Sequence, residues 1–167
     1  MKDRTTKCLE EAFAGESMAH LKYLLFSDIA DREGLANIAR LFKAIAYAEQ
    51  VHAGNHAVNL EITGETTENL QSCIDGENYE VEEMYPAFDA VAKLQQEKGA
   101  EQSIHYALEA EKIHSEMFKQ AKQAVDLGQD QEIDEIYICP VCGFTHIGKP
   151  PDCCPVCGIS SKKFKNF

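Results

Sequence analysis

The sequence predicts a mainly α protein, a four-helix bundle with one long crossover, followed by a small C-terminal metal-knuckle domain. Three observations carry this. Apolar residues recur at helical spacing through most of residues 1–128. Two Glu-x-x-His motifs, Glu49-Gln-Val-His52 and Glu111-Lys-Ile-His114, lie on those apolar stripes. Two Cys-Pro-Val-Cys-Gly motifs, Cys139–Gly143 and Cys154–Gly158, stand near the C-terminus.

The chain has 167 residues, enough for a bundle with a core and a small appendage, and 44% hydrophobic residues is ordinary for a globular protein. No basic start runs into an apolar stretch, and no run reaches the ~20 apolar residues of a membrane span, so a soluble, cytoplasmic protein with no membrane partner is expected. A net charge of −12 argues against nucleic acid as a partner. That charge is unevenly shared: residues 136–167 carry four lysines against Asp152, a net of +3, which leaves −15 for residues 1–135. So abrupt a change marks a domain boundary. The expected divisions are a bundle over 1–128, a polar linker over 129–136 and a knuckle domain over 137–167.

Within the bundle, helix A is expected over Thr5 to Asp31 and helix B over Leu35 to Asn59, with Arg32-Glu33-Gly34 as a tight turn that makes them antiparallel. Thr63-Gly64, Thr66-Thr67 and Asp75-Gly76 read as a crossover between 62 and 76, holding at most a short helix. Helix C is expected over Glu77 to Lys98, bent near Pro86, and helix D over Ala100 to Leu127.

Residues three or four apart share a helix face. One stripe reads Ile38, Phe42, Ile45, Glu49, His52, and another Ile104, Leu108, Glu111, His114, Phe118. Glu16 and Glu80 lie on apolar stripes of helices A and C, 33 and 31 residues before Glu49 and Glu111. A carboxylate on a core-facing stripe needs a compensating partner, because burying it unpaired costs several kcal/mol, of order 2–7 even for a neutral polar group. Four such acids and two histidines at matched places in two hairpins point to a metal centre. Mixed carboxylate and imidazole ligation suits iron or manganese better than magnesium or calcium; zinc fits less distinctively.

Of the other polar groups, His20 and His56 read as surface residues with a possible role beside the ligands, and Cys8 and Cys73 as buried thiols. Tyr23, on the stripe of Glu16, is a candidate to hydrogen-bond a ligand carboxylate or to deliver a proton. The two knuckles present four thiolates, Cys139, Cys142, Cys154 and Cys157, for tetrahedral ligation. Iron and zinc both accept four sulfurs, and spacing leaves both open. Cys153 is spare.

Taken together, these motifs resemble the rubrerythrins over the whole chain: a ferritin-like di-iron bundle followed by a rubredoxin-like Fe(Cys)4 domain. The stretch Tyr79-Glu-Val-Glu-Glu-Met-Tyr-Pro86 resembles the helix C motif of that family, whose second Glu is an additional iron ligand. The resemblance implies that Glu49 and Glu111 bridge two irons, that Glu16 and Glu80 are terminal ligands, and that His114 completes the second iron. It also implies that the first iron exchanges His52 for Glu83 on oxidation, which would make Glu83, His52 and Tyr23 the catalytic set. Implied with it is a peroxidase of oxidative-stress defence that reduces hydrogen peroxide to water, supplied with electrons from NAD(P)H through a reductase, a rubredoxin or a ferredoxin. A homodimer or higher homo-oligomer is implied as well, with the rubredoxin-like domain of one chain beside the bundle of the other. Two other readings compete: an iron-storage bundle, for which a tethered electron donor has no use, and a helical interaction module stapled by a zinc ribbon, which leaves the acids of the stripes unexplained.

Overall fold

The computed structural model describes residues 1–167 and is mainly helical, with a small C-terminal sheet. Residues 1–64 and residues 65–167 form two compact units. In the first, α1 (Asp3–Arg32) and α2 (Ala36–Asn59) form a helical hairpin. Gly34 turns the chain at φ 78°, a conformation that a side chain disfavours, and the Leu35 amide closes the turn on the Ala30 carbonyl at 2.8 Å. The helices meet along a seam of small residues: Ala39, Ala46 and Ala53, spaced by seven, together with Ala57, Ala30 and Ser27, are buried. Small side chains let the backbones approach, and two bonds tie them. Ser27 Oγ donates to the Ala39 carbonyl (2.9 Å), and the His20 Nδ1–H donates to the Ala46 carbonyl (2.8 Å). His20 is therefore a half-buried link between the helices rather than the surface group expected.

In the second unit, α3 spans Thr66–Tyr79, a π-helical segment spans Glu80–Met84, α4 spans Tyr85–Gln95 and α5 spans Lys98–Asp126. α3, the π segment and α4 follow without a break as the third long helix, which packs on α5. Its start is the main departure from expectation: most of the supposed crossover is helix. Glu65 and Glu68 form a reciprocal capping box that nucleates α3 at Thr66, with the Glu65 amide donating to Glu68 Oε2 (3.0 Å). Buried Ser115 on α5 donates to Asn78 Oδ1 on α3 (2.7 Å), fixing the two helices where the acids lie. The bend expected near Pro86 takes the form of the π segment, in which the Tyr85 amide bonds the Glu80 carbonyl five residues back. Proline has no amide to close the next α-helical bond, and a wider turn before it accommodates its ring.

The C-terminal region folds as β1 (Ile136–Ile138), β2 (Thr145–Ile147) and β3 (Lys165–Asn166), antiparallel in the order β2-β1-β3, with Tyr137 opposite His146 and Asn166. Its core is Cys139, Cys142, Cys154 and Phe144, and Tyr106 and Ile113 of α5 pack directly on it. Ala110 of α5 is buried at the same place, 3.7 Å from where a methyl group on Gly143 would stand. The knuckle domain thus sits on α5 of its own chain. Cys8 and Cys73 are exposed, not buried, and Cys153 is exposed and outside the thiol cluster, as expected. No helix is long and apolar enough to cross a membrane.

Candidate metal centres

Each knuckle is a tight turn that brings two sulfurs together. The Cys139 carbonyl accepts from the Gly143 amide (3.0 Å), and the Cys154 carbonyl from the Gly158 amide (2.9 Å). Both glycines have φ 77°, so the turns are near copies. Across the pair, Cys139 Sγ is 3.5 Å from Cys157 Sγ, and Cys142 Sγ is 3.5 Å from Cys154 Sγ. A tetrahedron of sulfurs about 2.3 Å from a central metal has edges of about 3.8 Å, so the four thiols fit one ion with little adjustment. Burial pushes the Cys142 thiol strongly up. Burial also opposes ionisation of Cys154, but the Cys157 and Val156 amides pointing at its sulfur outweigh it and bring the thiol down to about 7. A dry pocket aimed at sulfur with backbone donors favours a bound thiolate–metal ion over free thiols.

The acids and histidines gather into two clusters of the same composition. Glu16 of α1 and Glu49 and His52 of α2 offer ligand atoms within 4.8 Å of one another, and His52 Nδ1 lies 3.0 Å from Glu49 Oε2. Glu77 of α3 and Glu111 and His114 of α5 do the same, with His114 Nδ1 2.6 Å from Glu111 Oε2 and 3.9 Å from Glu77 Oε1. The structure therefore brings together six ligand candidates, five of which the sequence indicated. Glu77 was missed because it follows Asp75-Gly76, which read as a turn. Its spacing identifies it in retrospect, since 34 residues separate it from Glu111, against 33 between Glu16 and Glu49.

Glu80 lies one turn beyond Glu77, half-buried, its carboxyl raised by burial and by the Glu111 charge, with His114 opposing. It stands beside the cluster, at the place expected for Glu83. Glu83 itself is exposed in the π segment and makes no hydrogen bond or ion pair. The physical cause is register: a π turn holds about 4.4 residues rather than 3.6, so residues after Glu80 are displaced around the axis and a periodicity read through the segment fails. Tyr23 packs tilted against aromatics, with ring centres 6.3 Å from Phe26 and 6.4 Å from Phe42, and makes no hydrogen bond to a carboxylate. A different tyrosine stands near the acids: Tyr85 has its hydroxyl pKa raised by burial and then by the charges of Glu80, Glu111 and Glu77.

Carboxylates crowded in this way are unfavourable without a cation. Burial, then the nearness of Glu111, raises the Glu77 carboxyl from 4.5 to about 7. Between those values the folded metal-free chain holds a proton that the unfolded chain has released, so this group's contribution to stability is full below about 4.5 and is lost as pH rises through about 7. The melting temperature of metal-free protein should accordingly fall from pH 5 to pH 8, and Glu77→Gln should flatten that fall. An unchanged pH profile in the variant would refute the assignment. Uptake of a divalent cation should release the proton and tighten over the same window.

One contact joins the two kinds of centre. Buried Thr145 of β2 donates its hydroxyl proton to the Gly143 carbonyl (3.0 Å), leaving Oγ1 to accept from the Nε2–H of His114 (2.8 Å). This fixes the imidazole tautomer and leaves Nδ1 facing Glu111 and Glu77, where a cation would take the place of a proton. Thr145→Val should loosen the ring and the docked knuckle together, lowering electron transfer between the centres about 10-fold, with thiol ligation unaffected. Rapid-mixing measurement of re-reduction checks this.

Comparison with known proteins agrees with this arrangement. The sequence profile of the Rubrerythrin family matches residues 7–122, and that of the rubrerythrin rubredoxin-like domain matches residues 137–165. Rubrerythrin-2 of Clostridium acetobutylicum is 43% identical, with 98% of this chain and 96% of the relative aligned. Nigerythrin of Nitratidesulfovibrio vulgaris is 36% identical over 92% of this chain and 81% of its own. The solved structure of fully reduced nigerythrin superposes with a TM-score of 0.58 at 32% identity, covering 98% of this chain and 86% of that one. With matched motifs, both domain profiles and these relatives in agreement, the chain belongs to the rubrerythrin family, with its di-iron carboxylate site and its four-cysteine rubredoxin-like site.

Proposed function

We propose that this oxidoreductase is a cytoplasmic peroxidase of oxidative-stress defence, reducing hydrogen peroxide to water with electrons that originate in NAD(P)H and arrive through a reductase, a rubredoxin or a ferredoxin. The observation that carries the reading is the 2.8 Å hydrogen bond from His114 to Thr145, because it links the four-cysteine knuckle to the carboxylate–imidazole cluster of α3 and α5. Two irons held by Glu16, Glu49, His52, Glu77, Glu80, Glu111 and His114 would supply the two electrons that break the O–O bond, and five carboxylates compensate their charge in the oxidised state. Each turnover consumes one hydrogen peroxide, two electrons and two protons and yields two waters. The chain's part is to deliver those protons and admit those electrons. The Tyr85 hydroxyl, kept protonated by burial and by the charges of Glu80, Glu111 and Glu77, is the group placed to donate. Thr145 holds the His114 ring in one tautomer, with Nδ1 facing Glu111 and Glu77, where it would be available to a metal. The test is anaerobic titration of the reduced protein with peroxide, and steady turnover with NADH and a reductase. Two electrons lost per peroxide, with no oxygen evolved, is the expected result. Oxygen release, or accumulation of iron far above three per chain, would count against it.

A further inference from the structure

We propose that electrons enter the four-cysteine centre at its second knuckle, through Cys157, from a small acidic redox protein that docks on the face formed by Val156, Cys157 and the lysines of the same hairpin. The inference rests on the electron-supply part of the reading above and says where that supply attaches. It starts from an asymmetry between two near-identical turns. Both knuckles read Cys-Pro-Val-Cys-Gly with the glycine at φ 77°, yet their surroundings differ. A methyl group on Gly143 would stand 3.7 Å from Ala110 of α5, whereas one on Gly158 would meet nothing within 4 Å. Cys139, Cys142 and Cys154 are buried, and Cys157 is the one thiol of the four that is not. The first knuckle therefore faces α5 and, through Thr145, His114. The second faces outward. A one-electron centre that passes its electron inward on one side receives it on another, and the second knuckle is where a donor can approach a ligand sulfur with no helix in the way.

What meets solvent there has the make-up of a docking face. Cys157 and Val156 open into a cleft of about 730 Å³ that Ile104 and Leu108 of α5 also line. The charged side chains of the cleft are already neutralised in pairs, Lys93 with Asp89 and Lys98 with Glu101, so the cleft itself selects neither sign. Apolar side chains with charges kept out of the middle suit the centre of a protein interface better than an ion site. The charge that selects a partner stands on the knuckle domain. Lys149, Lys162, Lys163 and Lys165 are exposed and outside every ion pair, and Asp152 is the one acidic side chain among residues 136–167. Lys162 and Lys163 continue the hairpin that carries Cys157, which is closed by the Cys154 amide on the Ile159 carbonyl (2.8 Å) and the Ser161 amide on the Asp152 carbonyl (3.0 Å). On a chain of net charge −12 these cations form a positive island, and the partner that fits has an acidic rim around a one-electron centre near its surface. Such a complex is small and short-lived, as electron exchange requires. One electron leaves the partner's centre, which is oxidised, and reduces the four-cysteine centre; no bond forms or breaks.

The test reads docking and reduction of the knuckle centre without peroxide, so it fails or stands apart from the peroxidase reading. Full-length protein with zinc at the four cysteines is titrated with an oxidised acidic ferredoxin, and backbone amides are followed by magnetic resonance. Shifts should gather at residues 156–163 and 104–108 and spare residues 140–143. In protein with iron at the four cysteines, the same ferredoxin in its reduced form is mixed rapidly and the loss of the ferric thiolate absorption is timed. Lys162→Glu with Lys163→Glu, shown first to keep the knuckle iron, should slow this reduction about 10-fold at low salt and remove most of its salt dependence. Lys2→Glu with Lys22→Glu on α1 changes net charge equally and should leave the rate within about twofold of the parent. His105→Glu sets a negative charge on an exposed residue of the cleft and should slow reduction about threefold with every lysine in place. Equal slowing by the two lysine pairs, a rate indifferent to salt, or shifts gathered at residues 140–143 would overturn the proposal. Docking and reduction that behave as expected in a protein that does not consume peroxide would leave the entry point standing and remove the peroxidase.

Discussion

Glu77→Ala is expected to lose most of the bundle iron and to lower peroxide turnover at least about 100-fold, while Glu83→Ala stays within about threefold of the parent in both. The contrast is the point of the experiment. Glu77 offers an oxygen within 4.8 Å of Glu111 and His114 and shares their charge, so its removal opens a coordination position and leaves His114 Nδ1 with one carboxylate instead of two. Glu83 is solvated, and truncating it changes nothing that touches the cluster. Glu80→Ala should fall between the two in both readouts, because Glu80 is the proposed ligand at the edge of the Glu77, Glu111 and His114 cluster. Iron analysis with steady-state peroxide reduction decides the order. Equal losses at 77 and 83, or a larger loss at 83, would show that the π segment unwinds on metal binding and carries Glu83 inward.

The second large effect concerns the thiols. Cys142→Ser should reduce NAD(P)H-driven turnover to below about 1% of the parent, because a serine hydroxyl does not ionise to replace a thiolate and the one-electron relay is lost. Turnover with a small reductant that reaches the bundle directly should remain within severalfold. Cys142 is also part of the knuckle core, so the variant could fail by unfolding that domain. Parent protein reconstituted with zinc at the four cysteines separates the two causes, since zinc keeps the tetrahedron and carries no electron. Donor-driven turnover should vanish there too, with the fold intact; persistence of turnover would mean that electrons bypass the knuckle.

Much of this was legible in the sequence, and the failures have local causes. The hairpin of α1 and α2 announces itself through sustained periodicity and Gly34, and its observed limits fall within two residues of those expected. The knuckles could be read outright, because a Cys-x-x-Cys-Gly turn is a local object whose geometry needs no tertiary support. The start of α3 was lost because Asp75-Gly76 looks like a turn, whereas in the folded chain helix packing on α5 outweighs one glycine's propensity. The Glu65/Glu68 box that begins the helix was present all along but lacks the usual Ser or Thr. Glu77 was left out of the candidate ligands by the same error, and the π turn, which a 3.6-residue period cannot register, sets Glu83 apart from the cluster that Glu77 joins. Pro86 was the visible sign that the helix is not uniform there. For Tyr23 the sequence is silent in another way: a stripe shows which side of a helix a residue occupies but not what its hydroxyl meets.

The meeting of Ala110 with Gly143 has a consequence beyond packing. Electron tunnelling decays exponentially with the gap that separates donor from acceptor, so the gap between the cysteine centre and the carboxylate cluster acts as the throttle on the whole relay. Here a helix methyl group faces a glycine next to Cys142, so that two of the smallest residues stand where the knuckle meets α5. Neither residue binds, titrates or donates anything. In the proposed relay, a side chain larger than a methyl group at either place would widen the gap and slow the transfer without touching a single ligand.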